Sequence, residues 1–248
     1  MANWSDPQPA ATFGTAGASR GAAVDAGLRS HMLSVYNYMT SAVLLTGIVA
    51  MLFSWGGRDS YAYWLATEGG ILRWVVMFAP LIMVLGLSFG ANRMSAATMQ
   101  IVYWVYAVAM GLSLSTIFLV YDLGSIATAF FASAAAFAGL SLYGYTTKRD
   151  LSAFGTFLIM GVVGLLVASL LNLFVQSSML SFVISAVGVL LFAGLTAYDT
   201  QKIKSIYFEV AGQGELVAKS AILGALNLYL DFINMFLFIL RLFGGNRY

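Results

Sequence analysis

Two aspartates, Asp199 and Asp231, lie in stretches of sequence that are otherwise poor in charge. Asp199 belongs to GLTAYDTQKIK and Asp231 to LNLYLDFINMFLFIL. The mostly apolar segment that contains Asp231 is long enough to cross a bilayer as a helix, which takes about 20 residues. A carboxylate at that depth costs roughly 2.5–3.5 kcal/mol, so such residues usually face an interior and mark a route for ions or protons.

The chemistry available to these two aspartates depends on their separation. Two carboxylates about 4 Å apart at an effective dielectric constant of about 20 repel each other by about 4 kcal/mol. A proton shared between them removes that repulsion, and losing it, gaining a second proton or binding a cation changes their contact. Carboxylate oxygens are also suitable calcium ligands. The pair therefore predicts a pH-sensitive gate in which Asp199 and Asp231 bind calcium transiently.

Helical periodicity places polar neighbours beside each aspartate. At about 100° per residue, the face of the last apolar segment that carries Asp231 also carries Asn227, Asn234 and Arg241. The preceding segment has a second polar face, made up of Ser181, Ser185, Gly188, Thr196 and Asp199. If the two helices are antiparallel neighbours, the aspartates meet on one half of the bundle. Asn227, Asn234 and Thr196 then support the polar seam, which is the line where the two polar faces meet. Structural hydrogen bonding without transport is the alternative for each of these residues.

The composition identifies an integral membrane protein. The 248 residues are 60% hydrophobic and 9% charged, whereas a soluble domain carries about 25% charged residues. The absence of cysteine excludes disulfides and thiolate metal sites, and a single histidine, His31, argues against His-rich metal centres. The positive residues are spread along loops and form no patch for nucleic acid. We therefore expect no cofactor and no nucleic-acid partner, only cations, the lipid bilayer and membrane proteins.

Seven apolar runs predict seven transmembrane helices. They lie near 32–55, 71–91, 98–121, 123–145, 153–175, 179–201 and 217–243. The third and fourth runs are separated only around Asp122-Leu123-Gly124, where the Asp-Gly pattern suits a tight turn. Residues 1–30, rich in Ala, Gly, Ser, Thr and Pro, predict a disordered cytoplasmic tail. Residues 31–248 then form one seven-helix transmembrane domain.

The distribution of Lys and Arg predicts a cytoplasmic N-terminus, because short cytoplasmic loops are enriched in these residues. With the N-terminus inside, the cytoplasmic side holds Arg20, Arg29, Arg93, Lys148, Arg149, Lys202, Lys204 and Lys219. The outer side holds Arg58, Arg73, Arg241 and Arg247. The seventh run is long enough to cross fully, which places its arginines outside.

Several segments resemble the signature segments of the Bax inhibitor-1 family, also called transmembrane Bax inhibitor motif proteins. These are GYTTKRDLSAFG at 144–155, GLTAYDTQKIK at 194–204 and ALNLYLDFINMFLFILRLFG at 225–244. GLSLSTIF at 111–118 resembles the third helix of the family, and the similarity extends from about residue 30 to the C-terminus. The last motif is long and specific, and the chain looks most like bacterial members.

The resemblance implies an all-α membrane fold in which two three-helix layers surround the C-terminal helix. It also implies a pH-sensitive calcium leak gated by an aspartate pair, which corresponds here to Asp199 and Asp231. Related proteins use an arginine at the cytoplasmic end of the second helix as a latch, and Arg93 in FGANRMS is the nearest match. The implied location is a bacterial inner membrane.

Two other functions compete with the leak. Some relatives bind and restrain a membrane-embedded quality-control protease, so a membrane regulator acting through its N-terminal tail is the alternative. An intramembrane aspartyl protease also begins with a Tyr-Asp helix, which Tyr198 and Asp199 match. That class has glycines before its second aspartate, where this chain has Leu228 and Leu230. A serine-type intramembrane protease needs a histidine within a span, and His31 precedes the first run. We therefore expect no enzymatic activity.

Overall fold

The computed structural model describes residues 13–91 and 93–245, with side chains from residue 24 onwards, and these ranges are almost entirely helical. The helices are α1 (Phe13–Phe53), α2 (Tyr61–Thr67), α3 (Gly70–Gly90), α4 (Ala96–Leu114), α5 (Ile117–Val120), α6 (Leu123–Thr146), α7 (Ser152–Val175), α8 (Ser178–Val210) and α9 (Gly214–Phe243), with a 3₁₀ turn at Gly57–Asp59. Seven spans within the described residues are long and apolar enough to cross a membrane, which confirms the predicted number.

The last helix, α9, lies at the centre of the bundle. Within the 18-residue apolar stretch of α9 that could cross a membrane, 72% of the residues are buried inside the bundle. The same share is 11% for α3 and for α7. α4 packs between α1 and α3 to form one layer, and α8 packs between α6 and α7 to form the other. α9 contacts α1 and α4 of the first layer and α6 and α8 of the second. Two three-helix layers around a central C-terminal helix are therefore confirmed.

The start of the first helix differs from the prediction. The predicted disordered tail over residues 1–30 is wrong from residue 13 onwards, because α1 begins at Phe13. Five alanines between residues 13 and 30 favour helix, and Leu28 packs into the core. His31 consequently lies within the first span, not before it. Residues 1–12 lie outside the described part of the chain.

The boundaries of later helices differ in two places. Asp122, predicted to form a tight turn, instead caps α6 by accepting hydrogen bonds from the Ser125 amide at 2.8 Å and the Ser125 hydroxyl at 2.6 Å. α8 continues to Val210, well past the predicted end at residue 201. Its extension stays helical because Ile203 and Tyr207 continue the buried face.

The helices alternate in direction, so the bundle has two ends. The N-terminal end holds the start of α1 and the α3–α4, α6–α7 and α8–α9 connections, and the opposite end holds the others. At the N-terminal end, Lys204 Nζ donates to the Tyr145 carbonyl at 3.0 Å. At the opposite end, the Gly245 amide donates to Ser125 Oγ at 2.9 Å. α9 begins at Gly214, next to the α8–α9 connection at the N-terminal end, and the chain directly after it contacts Ser125 at the opposite end. α9 therefore runs the full length of the bundle, as predicted.

Candidate functional site

Asp199 of α8 and Asp231 of α9 lie side by side, with their carboxyl groups in hydrogen-bonding contact. Asp231 is only 3% exposed, and Asp199 is half-buried. Ionised carboxylates only accept hydrogen bonds, so this contact needs one proton held between the two groups. One oxygen of Asp231, Oδ2, is buried and has no hydrogen-bond donor beside it among the described residues. The structure thus brings together the two residues singled out from the sequence.

Glycines on either side of the pair allow α8 and α9 to approach closely. A Cβ atom on Gly188 would lie 2.6 Å from the Phe238 ring, and one on Gly224 would lie 3.0 Å from Ile203 Cγ1. Small residues at such positions let transmembrane helices pack backbone to side chain. The two aspartates therefore face each other across an interface that has one close α8–α9 contact on each side of the pair along the helix axes.

The rest of the second layer holds α8 in place directly before Asp199. Gly144 of α6 packs against the Ala197 backbone, because an added Cβ would lie 2.9 Å from the Ala197 carbonyl carbon. Gly155 of α7 packs against the Tyr198 ring in the same way. Both contacts are tighter than ordinary van der Waals packing would allow for any larger residue. Movement of α8 at the pair is therefore tied to movement of α6 and α7.

A chain of hydroxyl groups joins three helices beside the pair. Tyr36 Oη of α1 lies 2.6 Å from Ser141 Oγ of α6, which lies 3.0 Å from Thr200 Oγ1 of α8. Thr200 also donates to the Thr196 carbonyl at 2.7 Å, and it directly follows Asp199 in the sequence. This network links the first layer to the second next to the pair. Periodicity within single helices does not indicate this network, because Tyr36 and Ser141 lie in separate spans.

A second buried contact fastens α9 to the first layer. Tyr229 Oη lies 2.8 Å from Thr46 Oγ1 of α1, which donates to the Ala107 carbonyl of α4 at 2.9 Å. The Tyr229 ring also meets the Tyr106 ring edge-on, with centroids 5.5 Å apart. Tyr229 and Asp231 are two residues apart, so they leave the helix on nearly opposite sides. α9 therefore presents Asp231 to α8 and Tyr229 to α1 and α4.

The other predicted polar residues are less closely involved. Thr196 is fully buried, but its hydroxyl donates to the Phe192 carbonyl at 2.9 Å. Asn234 donates from Nδ2 to the Leu230 carbonyl at 2.8 Å. Asn227 is half-buried on the same helix. The hydrogen bonds of Thr196 and Asn234 stay within their own helices, so neither bond connects α8 to α9.

The predicted latch does not reach the pair. Arg93 is exposed in the connection between α3 and α4. Among the described residues the one ion pair joins Lys219 and Glu215 at 3.2 Å, so Arg93 pairs with neither aspartate. In this arrangement α3 packs against α4 at the edge of the first layer, so the role of Arg93 as a latch stays a prediction that these contacts do not support. The basic side chain whose charge acts on Asp199 is Lys202, one turn further along α8.

The pair alone is too small to hold a resident metal ion. Calcium takes six to eight oxygen ligands, and two carboxylates supply at most four. No cluster of three or more His, Cys, Asp or Glu residues occurs in the part of the chain that the structure describes. A calcium ion at Asp199 and Asp231 would therefore complete its coordination with water.

Comparison with known proteins places the chain in a recognised group. A family model described as "Inhibitor of apoptosis-promoting Bax1" matches residues 28–248. An uncharacterised protein of Rickettsia prowazekii is 47% identical over 92% of this chain and 95% of its own length. A Caulobacter vibrioides protein is 44% identical over 90% and 92%. The inner membrane protein YbhL of Escherichia coli is 42% identical over 90% and 94%.

Proposed function

The chain belongs to the Bax inhibitor-1 family of multi-pass membrane proteins, and we propose that it is a pH-sensitive cation leak channel gated by Asp199 and Asp231. We propose calcium as the ion. The observation that supports this proposal is the contact between two carboxyl groups at the interface of the central helix, where Asp231 Oδ2 has no hydrogen-bond partner. A buried oxygen without a partner is a position for a proton, a water molecule or a cation.

The proton is the first part of the mechanism. While one proton is shared, the hydrogen bond joins α8 to α9. Without it, two negative charges about 4 Å apart at an effective dielectric constant of about 20 repel each other by about 4 kcal/mol. That is comparable to the free energy that separates two states of a switching protein. Protonation of the pair therefore selects between two arrangements of α8 against α9.

The cation is the second part. A calcium ion that keeps part of its water neutralises the pair in place of the shared proton. Because metal ligands must be deprotonated, protons and calcium compete for the same carboxyl oxygens. Lowering the pH therefore weakens the apparent affinity for calcium, whichever protonation state conducts. The half-buried amides of Asn227 and Asn234, within one turn of Asp231 on the same helix, supply further oxygen atoms along the route.

Orientation and location complete the proposal. The N-terminal end of the bundle carries most of the Lys and Arg residues, among them Arg29, Lys148, Arg149, Lys202 and Lys204. The positive-inside rule then places this end in the cytoplasm. The relative YbhL is described as an inner membrane protein, which supports a bacterial inner membrane. We propose no enzymatic activity for the chain, since the pair lacks the glycines expected of an aspartyl protease.

A regulatory role is the second candidate, and the length of α1 favours it. Its 41 residues span about 60 Å, roughly twice the thickness of the hydrocarbon core. Part of α1 therefore extends beyond the bilayer, where a membrane protease or another membrane protein can dock. Removal of residues 1–23 would abolish recovery of such a partner while leaving calcium flux unchanged. A shortened chain that still recovers the partner would count against this role.

Calcium flux into liposomes containing the purified protein tests the leak. We expect flux that changes with pH in the wild type and in Asp25→Asn, whose carboxylate is exposed at the N-terminal end. We expect the pH dependence to be lost in Asp231→Asn and altered in Asp199→Asn. An unchanged pH profile in both pair variants would refute the gate. Flux no greater than that of empty liposomes would refute the channel.

A further inference from the structure

A cavity of about 500 Å³ lies at the N-terminal end of the bundle, separate from the aspartate pair. It is bordered by the middle of α1, the end of α8 and the start of α9. Its walls include Ser30, His31, Ser34, Tyr207, Gly214 and Val217. Its volume falls within the range of about 300–1,000 Å³ that small-molecule sites occupy. The leak mechanism uses none of these residues.

The wall contains a histidine without hydrogen bonds. His31 is the one histidine of the chain and is 4% exposed. Both ring nitrogens, Nδ1 and Nε2, are buried without a partner. The ring lies against Tyr207, with centroids 5.2 Å apart, which limits its rotation. A neutral imidazole offers one donor and one acceptor, and a buried polar group left without partners indicates a missing ligand or water.

The same cavity receives the N-terminus of α9. Gly214 and Val217, from the first turn of this 30-residue helix, line the wall. The Gly214 amide has no partner within the helix, whereas the Val217 amide donates to the Gln213 carbonyl at 2.9 Å. The positive end of the helix dipole also favours anions at this position. Glu215 of that turn is largely exposed and pairs with Lys219 at 3.2 Å, and it does not line the cavity.

The remaining wall is rich in hydrogen-bond donors and contains no Asp or Glu. Ser34 Oγ donates to the Ser30 carbonyl at 3.0 Å and can turn to a ligand without leaving its helix. Tyr207 contributes a phenol hydroxyl close to Gly27, since a Cβ on Gly27 would overlap it. Donors therefore converge on this cavity from α1, α8 and α9, as recognition of an anion with several oxygen atoms requires.

We propose that this cavity binds a phosphate group, carried either by a soluble phosphate compound or by a phospholipid headgroup. The Gly214 amide at the start of α9 and the hydroxyl of Ser34 donate to the phosphate oxygens. The imidazole of His31 donates a further hydrogen bond from the side of α1. Binding joins α1, α8 and α9 at one end of the bundle.

The single histidine allows a direct test on the wild-type protein. In phospholipid-free detergent, the imidazole NMR signals of His31 are followed while inorganic phosphate is added, with sodium chloride at equal ionic strength as the reference. We expect a saturable shift with phosphate and none with chloride. Ser34→Ala should weaken phosphate binding about tenfold, the loss of one charge-assisted hydrogen bond. Ser205→Ala, an exposed serine at the same end of α8, should leave it unchanged.

The membrane source is separated from the soluble one in nanodiscs. If the natural ligand is soluble, inorganic phosphate shifts the His31 signals in discs of phosphatidylcholine and of phosphatidylglycerol alike. If it is a lipid headgroup, the signals are already shifted in phosphatidylglycerol discs and added phosphate has no effect there. Signals that stay unchanged in detergent and in both discs would overturn the site. Equal phosphate affinities of Ser34→Ala and Ser205→Ala would also overturn it.

Discussion

Gly144 lies at a close approach of α6 to α8, and replacing it with alanine tests how the region of Asp199 is held. The new Cβ would lie 2.9 Å from the Ala197 carbonyl carbon and 3.0 Å from its Cα, whereas ordinary contact begins at 3.4 Å. Backbone atoms cannot rotate away, so α6 must move back by roughly 0.5–1 Å to restore ordinary carbon–carbon separations. Overpacking of this kind costs about 1–3 kcal/mol.

The control for Gly144→Ala is Gly139→Ala in the same helix. A Cβ at Gly139 meets nothing within 4 Å. Both variants gain the helix preference of alanine over glycine, about 1 kcal/mol, so their difference isolates the clash with α8. Denaturant unfolding in detergent should therefore show Gly144→Ala to be about 1–3 kcal/mol less stable than Gly139→Ala.

Flux provides the second assay for this pair of variants. Ala197 lies two residues before Asp199, so displacement of α6 should change the pH profile of calcium flux in Gly144→Ala and not in Gly139→Ala. Equal stability of the two variants would refute the close α6–α8 crossing. Reduced stability with an unchanged pH profile would show that the crossing does not position Asp199.

Three further perturbations test other parts of the structure. Tyr229→Phe removes the hydrogen bond to Thr46 and should reduce unfolding stability by about 0.6 kcal/mol, the average for such bonds in membranes; no loss would contradict that bond. The hydrogen bonds from Ser125 lower the pKa of Asp122, so the ionised Asp122 stabilises the folded protein. This contribution is fully present at pH values above the ordinary aspartate pKa and is lost as the pH falls through the pKa of Asp122 in the folded protein. Melting temperatures measured from about pH 6 down to pH 3 should therefore fall less steeply in Asp122→Asn than in the wild type. Arg93→Gln should leave the pH profile of flux unchanged, and a lost profile would restore Arg93 as a latch.

The pairing of the aspartates could be predicted because it depends on short-range rules. Helical periodicity fixes the face of each residue, and two long consecutive helices with a short connection pack antiparallel. Those rules place Asp199 opposite Asp231 without any knowledge of the other helices. The central position of α9 follows similarly, since a helix with both a polar seam and bulky apolar faces needs neighbours on all sides.

Contacts between distant spans could not be predicted in this way. Tyr36 and Ser141 are 105 residues apart, and Thr46 and Tyr229 are 183 apart. Ser and Thr hydroxyl groups usually donate to a backbone carbonyl of their own transmembrane helix. The sequence therefore does not reveal which of them hydrogen-bond to another helix. The sequence does not identify His31 as a ligand-binding residue, because its ring nitrogens are seen to lack hydrogen-bond partners only in the packed structure. Arg93 was assigned from resemblance alone, and packing places it elsewhere.

Proton release on calcium binding reports directly on a proton held between Asp199 and Asp231. Purified protein in weakly buffered detergent solution receives calcium at constant ionic strength, and the released protons are measured with a pH-sensitive dye. We expect the wild type and Asp25→Asn to release protons saturably, with a half-saturating calcium concentration that rises as the pH falls. We expect Asp231→Asn to release none. Calcium binding without proton release in the wild type, or undiminished release in Asp231→Asn, would contradict a proton shared between Asp199 and Asp231.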